Sequence, residues 1–316
     1  MRLTPKVYVH AAGAVHPLGM WWRGLSSLLD PRSTTPTTTT VLAQSHPDAA
    51  ALQVPDWPST SDPTDVKQHR MMSRPARLAA VALAQVMDAQ LDRSRCGLFL
   101  GVGASAGSLT ELTALLKASV VDGELNGERL GTQGLQACHP LFTFQLMNNF
   151  TLCHGAIALG LQGPNAAFFS RGEGTWCALE EAVYALEDGR CSDVIAGGAD
   201  SALHAATWVE LRNALHPSVP VPSEGAAMLR LSTSPKGALA HISLMQHPWE
   251  GTPDADVVVQ TPGSIDALGQ LQAAGPAMGW CVALDLIVQH GKRRVAVLST
   301  GVHEETSLVV LERTSP

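Results

Sequence analysis

The sequence predicts an α/β fold, on three observations. Short apolar runs of strand length alternate with longer stretches whose apolar residues recur at helical spacing. Small-residue turns, such as GVGASAG and Gly197-Gly198, punctuate them. A length of 316 residues with 45% hydrophobic content suffices for one large domain, or two fused halves, with a sizeable core.

In chain order, Val7 to Val15 reads as a buried strand and Gly19 to Leu29 as a short helix. Pro31 to Pro63, rich in Thr, Ser, Pro and Asp, reads as a flexible loop. An Ala-rich helix over Ser73 to Leu91 precedes a strand over Arg95 to Val102, the GVGASAG turn and a helix near Leu109 to Ser119. His139 to Leu161 holds a Met-Asn-Asn-Phe turn and an apolar helix. A strand over Ala166 to Phe169, a helix over Thr175 to Leu186 and a strand over Asp193 to Ala196 follow, the last ending in a tight turn at Gly197-Gly198. Thr207 to Ala214 reads as another helix, and Gly225 to Leu231 and Ala238 to Met245 as strands. Val257 to Gln260, the helix Ala273 to Gln289, Arg294 to Leu298 and Ser307 to Leu311 continue the alternation to its end.

Charged residues make up only 16% of the chain, and the net charge is -7 with no basic run, which argues against a nucleic-acid groove. So sparse a charge fits a surface covered by another subunit, and equally an Ala-rich composition from a GC-rich genome. The six cysteines are scattered with no C-x-x-C pair, so neither a zinc site nor a disulfide framework is expected, and a reducing cytoplasm is. The N-terminus lacks the apolar run of a signal peptide, and no apolar stretch reaches the roughly 20 residues of a membrane span.

Four features bear on chemistry. In FFSRGEGTWCALEEA a strand, a small-residue turn and a helix form an elbow of the kind that presents a nucleophile at a helix N-terminus. Ser170 is its only candidate nucleophile, though a serine there is more often a strand-end or capping residue, while Cys177 falls within the helix as a core residue. GVGASAG lacks the Lys-Ser/Thr of a P-loop and is better explained by close helix–sheet packing. The 12 histidines show no metal spacing; His303-Glu304-Glu305 reads as a solvated turn, and no metal or other cofactor is expected. The run Ala273 to Val288 reads as a core or interface helix. From these residues alone an acyl-transfer enzyme, a nucleotide-binding module and a non-catalytic subunit all stay open.

The order of the segments adds a resemblance. MNNFTLCHGAIALGLQGPN followed by SRGEGTWCALEEAVYALEDGRCSDVIAGGADSA resembles the central region of β-ketoacyl synthases. In that family a Gly-Pro-Asn/Ser turn, a buried strand, a cysteine elbow, a helix, a Gly, a short strand and Ala-Gly-Gly-Ala come in this order. HRMMSRPARLAAVALAQVMDAQL, CGLFLGVGASAGSL and VPSEGAAMLRL extend the likeness over most of residues 1–232, and from 233 onward it is thin. The resemblance implies a thiolase-like five-layer αβαβα fold with a shortened C-terminal half. Residues 1–235 form the ketosynthase-like half (31–66 its flexible loop) and 236–316 the reduced half, together one compact unit.

It also implies a dismantled active site. The acyl-accepting cysteine falls on Gly172, which cannot form a thioester. The histidine of the His-Gly-Thr motif falls on Pro262, and the second histidine near Gly269 or Gln270 in LGQLQAAG. The Gly-Phe-Gly-Gly turn corresponds to STGVHEET.

A family member without these groups resembles the chain-length factor of type II polyketide systems, including those of the aryl polyene kind. Such a subunit pairs with an active β-ketoacyl synthase, meets the acyl carrier protein through the complex and helps form the acyl tunnel. Bulky residues closing that tunnel stop elongation by overpacking. Phe142, Phe144 and Met147, and Leu109, Leu112 and Leu116 on the helix after the Gly-rich turn, are the expected tunnel or interface residues. The alternatives are an acyltransferase or decarboxylase of the same fold using an unusual residue such as Ser170 or His303, and a homodimeric acyl-binding protein.

Overall fold

The computed structural model describes residues 6–30, 51–55, 72–103, 109–169, 173–203, 221–245, 253–301 and 305–314. The first apolar run is strand β1 (Val7–Val15), followed by a 3-10 turn at Leu25–Leu29, helix α1 (Arg74–Val86) and β2 (Cys96–Val102). Helix α2 (Leu109–Ser119) leads into a small hairpin of β3 (Val120–Val121) and β4 (Glu124–Leu125). Helices α3 (Phe142–Leu146) and α4 (Phe150–Leu159) precede β5 (Asn165–Phe168). Helix α5 (Glu173–Glu187), β6 (Asp193–Ser201) and β7 (Glu224–Ser232) complete the first half. The second holds β8 (Ala240–Met245), β9 (Val257–Thr261), helix α6 (Gly275–His290), β10 (Arg294–Thr300) and β11 (Thr306–Arg313).

Nine strands lie in the order β5-β2-β6-β7-β1-β8-β11-β10-β9. The order is a repeat. In each half the first strand pairs antiparallel with the last (β1 with β7, β8 with β11), which pairs antiparallel with a parallel group (β6 and β2, β10 and β9). The halves join where β1 and β8 pair over Val7 to Val9. β5, parallel to β2, extends the first half by one strand; among the described residues the second half has no counterpart to it. Helices α5 and α6 occupy matching places, each just before the next-to-last strand of its half.

The layers follow from burial. α1 and α4 cover one face of the first half, packing Ala79, Ala82, Leu83 and Leu152 against Leu98, Leu100 and Ile195. α5 and α6 lie between the halves, where Ala178, Leu179, Met278 and Val282 share a core with Leu229, Val259, Val297 and Leu311. α6 is apolar on all sides, with every residue from Pro276 to Ile287 buried, as a helix between two sheet faces must be. Each fully buried Leu, Ile or Val there contributes about 1.5–3 kcal/mol. On the outer face of the second half the cluster shrinks to Ala296, Leu308 and Val310, and no described helix covers it. This is a thiolase-like fold in which, among the described residues, the second half lacks the first half's extra edge strand and outer helices.

Local chemistry sets the boundaries. α1 starts where Ser73 caps Ala76 N and Pro75 sits in the first turn, and it ends at Val86, short of Leu91, because Met87 is extended. The helix expected over Gly19 to Leu29 reduces to Leu25–Leu29. Gly19 closes a bridge with His16, and the N–H groups of Gly24 and Ser26 donate to the buried Asp285 of α6, at 2.8 and 3.0 Å, not along a helix. The tight turn expected at Gly197-Gly198 is not there: β6 runs through both. Their missing side chains admit the Ala227 and Ala273 carbonyls, which a Cβ would strike. One stretch inside the expected loop is packed, with Ala51, Leu52 and Val54 buried and Leu52 N donating to Pro222 O at 2.8 Å. The rest of that loop, positions 104–107 of GVGASAG and the expected helix Thr207 to Ala214 lie outside the described residues.

Candidate functional site

The parallel strands β2, β6, β9 and β10 end on the same side as the start of α5, the usual position of a site in an open α/β sheet. Gly101 lets α5 approach β2, since a Cβ there would fall on the backbone of Thr175. Thr175 is fully buried, and its Oγ1 donates to the Ala273 carbonyl at 2.5 Å. The 3-10 turn Gln272–Ala274 is thereby tied to the first turn of α5. Ala273 N in turn donates to Asp200 Oδ2 at 3.2 Å, and Ser201 N donates to Asp200 Oδ1 at 2.7 Å. Among the described residues no cation pairs with Asp200; burial pushes its carboxyl up to about 7.

The expected positions take their places around this knot. Gly172, with Ser170, lies outside the described residues, between Phe169 at the end of β5 and Glu173 at the start of α5. Pro262 follows β9 in a turn closed by Ser264, whose N–H donates to Gln260 O at 2.9 Å and whose Oγ accepts from Gln260 N at 2.8 Å. Just before it, Thr261 Oγ1 donates to Ser299 Oγ of β10 at 2.8 Å. Of STGVHEET, Gly301 N donates to Glu305 O at 2.7 Å, and a Cβ on Gly301 would lie 3.9 Å from Glu173 N, so this turn meets the start of α5. His303 lies outside the described residues. Gly269 and Gln270 pair with the segment before β7: Gln270 N donates to Val221 O at 2.8 Å and Gln270 O accepts from Ser223 N at 3.2 Å. The fold thus brings the Pro262, Gly269-Gln270 and Gly301 segments to the same end of the strands as the start of α5, and neither Pro262 nor Gly269 can exchange a proton there.

Burial raises Cys177, in the second turn of α5, and pushes Cys96 and Cys281 up to about 12. Among the described residues no group of three or more His, Cys, Asp or Glu could hold a metal, and no helix is long and apolar enough to cross a membrane.

The expected tunnel residues divide. Phe142 is 2% exposed and packs with Leu115 and Cys138, with Leu112 and Leu146 alongside. Phe144, Met147 and Leu116 are exposed, Phe144 stacking edge-on against Phe150 at 5.2 Å. Of Leu109 only the backbone, at the start of α2, is described. The face of α2 turned to Phe142 is therefore Leu112 and Leu115; the sequence spacing did not select Leu115. Sequence reasoning also missed Thr175, Asp200 and Gln272. The one available signal was polar residues inside otherwise small or apolar runs, as in AGGAD and LQAAG.

β5 ends the sheet. Among the described residues no strand pairs with its outer edge; Phe169, 54% exposed, follows it directly, and Ile157 of α4 is 73% exposed. The buried ion pair of the site's outer rim belongs to Glu224 at the start of β7. It is fully buried and accepts from Arg74 at 2.6 Å, Val54 N at 2.9 Å and Ser201 Oγ at 2.9 Å.

Residues 34–232, more than half of the chain, match the sequence pattern of the β-ketoacyl synthase N-terminal domain. No curated protein matches the sequence. Among solved structures, the ishigamide ketosynthase/chain length factor superposes with a TM-score of 0.72 at 17% identity, over 98% of this chain and 100% of that one. A β-ketoacyl synthase from Burkholderia phymatum gives 0.70 at 16%, over 98% and 100%. The ketosynthase ApeO in complex with its chain length factor ApeC, from Xenorhabdus doucetiae, gives 0.69 at 13%, over 98% of each chain. At these identities the likeness is one of fold.

Proposed function

This chain belongs to the β-ketoacyl synthase family, and we propose that within it the chain is a non-catalytic subunit that pairs with an active ketosynthase and helps shape its acyl tunnel. The observation that carries the reading is the β5 edge, which no described strand pairs with. Such an edge, followed directly by an exposed aromatic, Phe169, is a template for pairing with another chain. Ile157, Phe169, Phe144 and Met147 would be covered in such a complex. Gly172 and Pro262 support a role without condensation chemistry, since neither can carry an acyl group or pass a proton. Two of the structures similar in fold are themselves ketosynthases with chain length factors. Another is a type II polyketide acyl-carrier protein in complex with its ketosynthase, at a TM-score of 0.72 and 14% identity. An acyl carrier protein would therefore meet this chain through the complex, in the cytoplasm.

In this reading Phe142 closes the tunnel and Leu112 and Leu115 back it. An elongating apolar chain stops where the next methylene would have to displace a fully packed ring. Co-expression with a ketosynthase encoded beside this chain tests the proposal. A stoichiometric heterodimer is expected; a chain that stays a homodimer, or acylates itself when purified alone, would reject it.

A further inference from the structure

The two middle-layer helices differ in how their flanks are met. On α6 the buried Asp285 carboxylate is satisfied by the segment after β1, accepting from the N–H groups of Gly24 and Ser26 and from the Ser26 hydroxyl. On α5 the flank stays open as a groove of about 370 Å³ between that helix and β8. Trp176, Glu180, Tyr184 and Glu187 recur along it at helical spacing, so rings and carboxylates alternate turn by turn. Val183, Ile242 and Leu244 supply an aliphatic wall. Among the described residues neither Glu180 nor Glu187 has a cationic partner, whereas neighbouring Glu181 has Arg190 at 2.9 Å. Glu180 accepts from the Tyr184 hydroxyl at 3.4 Å, and its charge, above all, pushes that hydroxyl up. Burial, and then the charge of Asp188, raises Glu187, a carboxyl short of a counter-charge. Lys6 brings one positive charge to the lining. His241 brings none, since burial chiefly lowers it, and its Nδ1 faces Glu312 at 3.7 Å.

Two carboxylates seven residues apart on one helix stand about 10 Å apart along its axis. Between them the Tyr184 ring, 43% exposed, offers its face to a cation, and Trp176 does so one turn beyond Glu180. We propose that this groove is a binding site for a linear aliphatic diamine or polyamine. Its end ammonium groups meet Glu180 and Glu187, and its methylene chain lies along Tyr184 and the wall of Ile242 and Leu244. Each part of the groove selects one part of that ligand. An anion is repelled by the two carboxylates. A neutral apolar chain fits the wall and leaves both carboxylates without a counter-charge. A single ammonium serves one of them. A cavity of this volume falls in the range of small-molecule sites. No residue of β5 and none of the degenerate positions lines it, so its occupancy is independent of the function proposed above.

Calorimetric titration of the full chain at low ionic strength, where exposed charges are least screened, is the test, with 1,8-diaminooctane and spermidine as probes. Both should bind at one site. 1,4-Diaminobutane, too short to reach both carboxylates, and octylamine, with one ammonium, should each bind about tenfold more weakly. The double change Glu180→Gln with Glu187→Gln should weaken 1,8-diaminooctane by about tenfold or more. Glu124→Gln with Glu128→Gln, equal in charge and outside the groove, should leave it unchanged. Tyr184→Phe keeps the ring face and the affinity; Tyr184→Leu should lose about three- to fivefold, the size of an exposed cation–π contact. Lys6→Gln, which removes a like charge, should tighten binding. Thermal unfolding of each variant shows that it is folded. No binding of either probe, equal weakening by the two double changes, or affinity independent of chain length would overturn the inference. So would binding of a lysine-rich peptide where neither probe binds, which would make the groove a polypeptide site.

Discussion

The two halves of the molecule repeat one strand order and have diverged in what they keep. The first half contributes five strands to the large sheet, helices α1 and α4 on its outer face, and at β5 an edge that no described strand pairs with. The second has four strands and, among the described residues, no outer helix. Even the shared middle layer shows the asymmetry. The segment after β1 covers α6, where Ser26 Oγ donates to Asp285 at 2.5 Å. On α5 the corresponding flank opens a groove of about 370 Å³ lined by Trp176, Tyr184 and the β8 residues His241 to Leu244. The second half also carries Pro262 and Gly269-Gln270. In the proposed function the partner meets the first half at β5, the half that also holds Gly172, while the other expected site positions lie in the second.

That division can be broken by experiment, and the largest effect is expected at the edge. The double change Ile157→Asp with Phe169→Asp places two charges where the partner should pack. Both side chains are more than half exposed, so the chain should fold unchanged while the complex weakens a hundredfold or more, at about 2–4 kcal/mol for each interface anchor. Titration by light scattering or calorimetry reads this, and an undiminished complex would move the interface away from β5.

Next in size is the first half's buried pair. Arg74→Ala strands the Glu224 carboxylate with no cation, and should cost about 3–5 kcal/mol in denaturant unfolding. A loss under 1 kcal/mol would show that this half is not held at that point. Phe142→Ala should cost about 3–5 kcal/mol at most, less if the site collapses, and should lengthen or broaden the products of the complex. Unchanged products from an intact complex would remove Phe142 from the tunnel.

The smallest effect is a slope. Asp200 has a folded-state pKa near 7, above its unfolded value of about 4. The fold therefore binds the proton more tightly, and its contribution to stability is present in acid and is lost as pH rises from about 4 through 7. Thermal unfolding of wild type should fall over that range relative to Asp200→Asn, whose curve lacks this titration. Parallel curves would show that the carboxyl is already ionised at low pH.

The alternation of strands and helices was legible in the sequence because burial writes periodicity directly: β2, β7 and α6 fall where their apolar runs do. Gly197-Gly198 was misread because a glycine pair signals a turn by local chemistry, whereas here it makes room for the Ala227 and Ala273 carbonyls, contacts remote in sequence. The short helix after β1 failed for the same reason, its N–H groups being claimed by Asp285, some 260 positions away. At the site, the expectations for Gly172, Pro262 and Gly269-Gln270 came from laying motifs side by side. The tie of Thr175, Ala273 and Asp200 could not be read that way, because those partners come from three separate segments.

The most direct measurement is a reconstitution of the heterodimer with acyl-carrier substrates, in which the ketosynthase partner's nucleophilic cysteine is removed and the intact mass of each subunit is followed. The account predicts that condensation stops and that no acyl adduct appears on this chain, while the unaltered partner restores turnover. Continued condensation, or an acyl adduct on any residue of this chain, would contradict it.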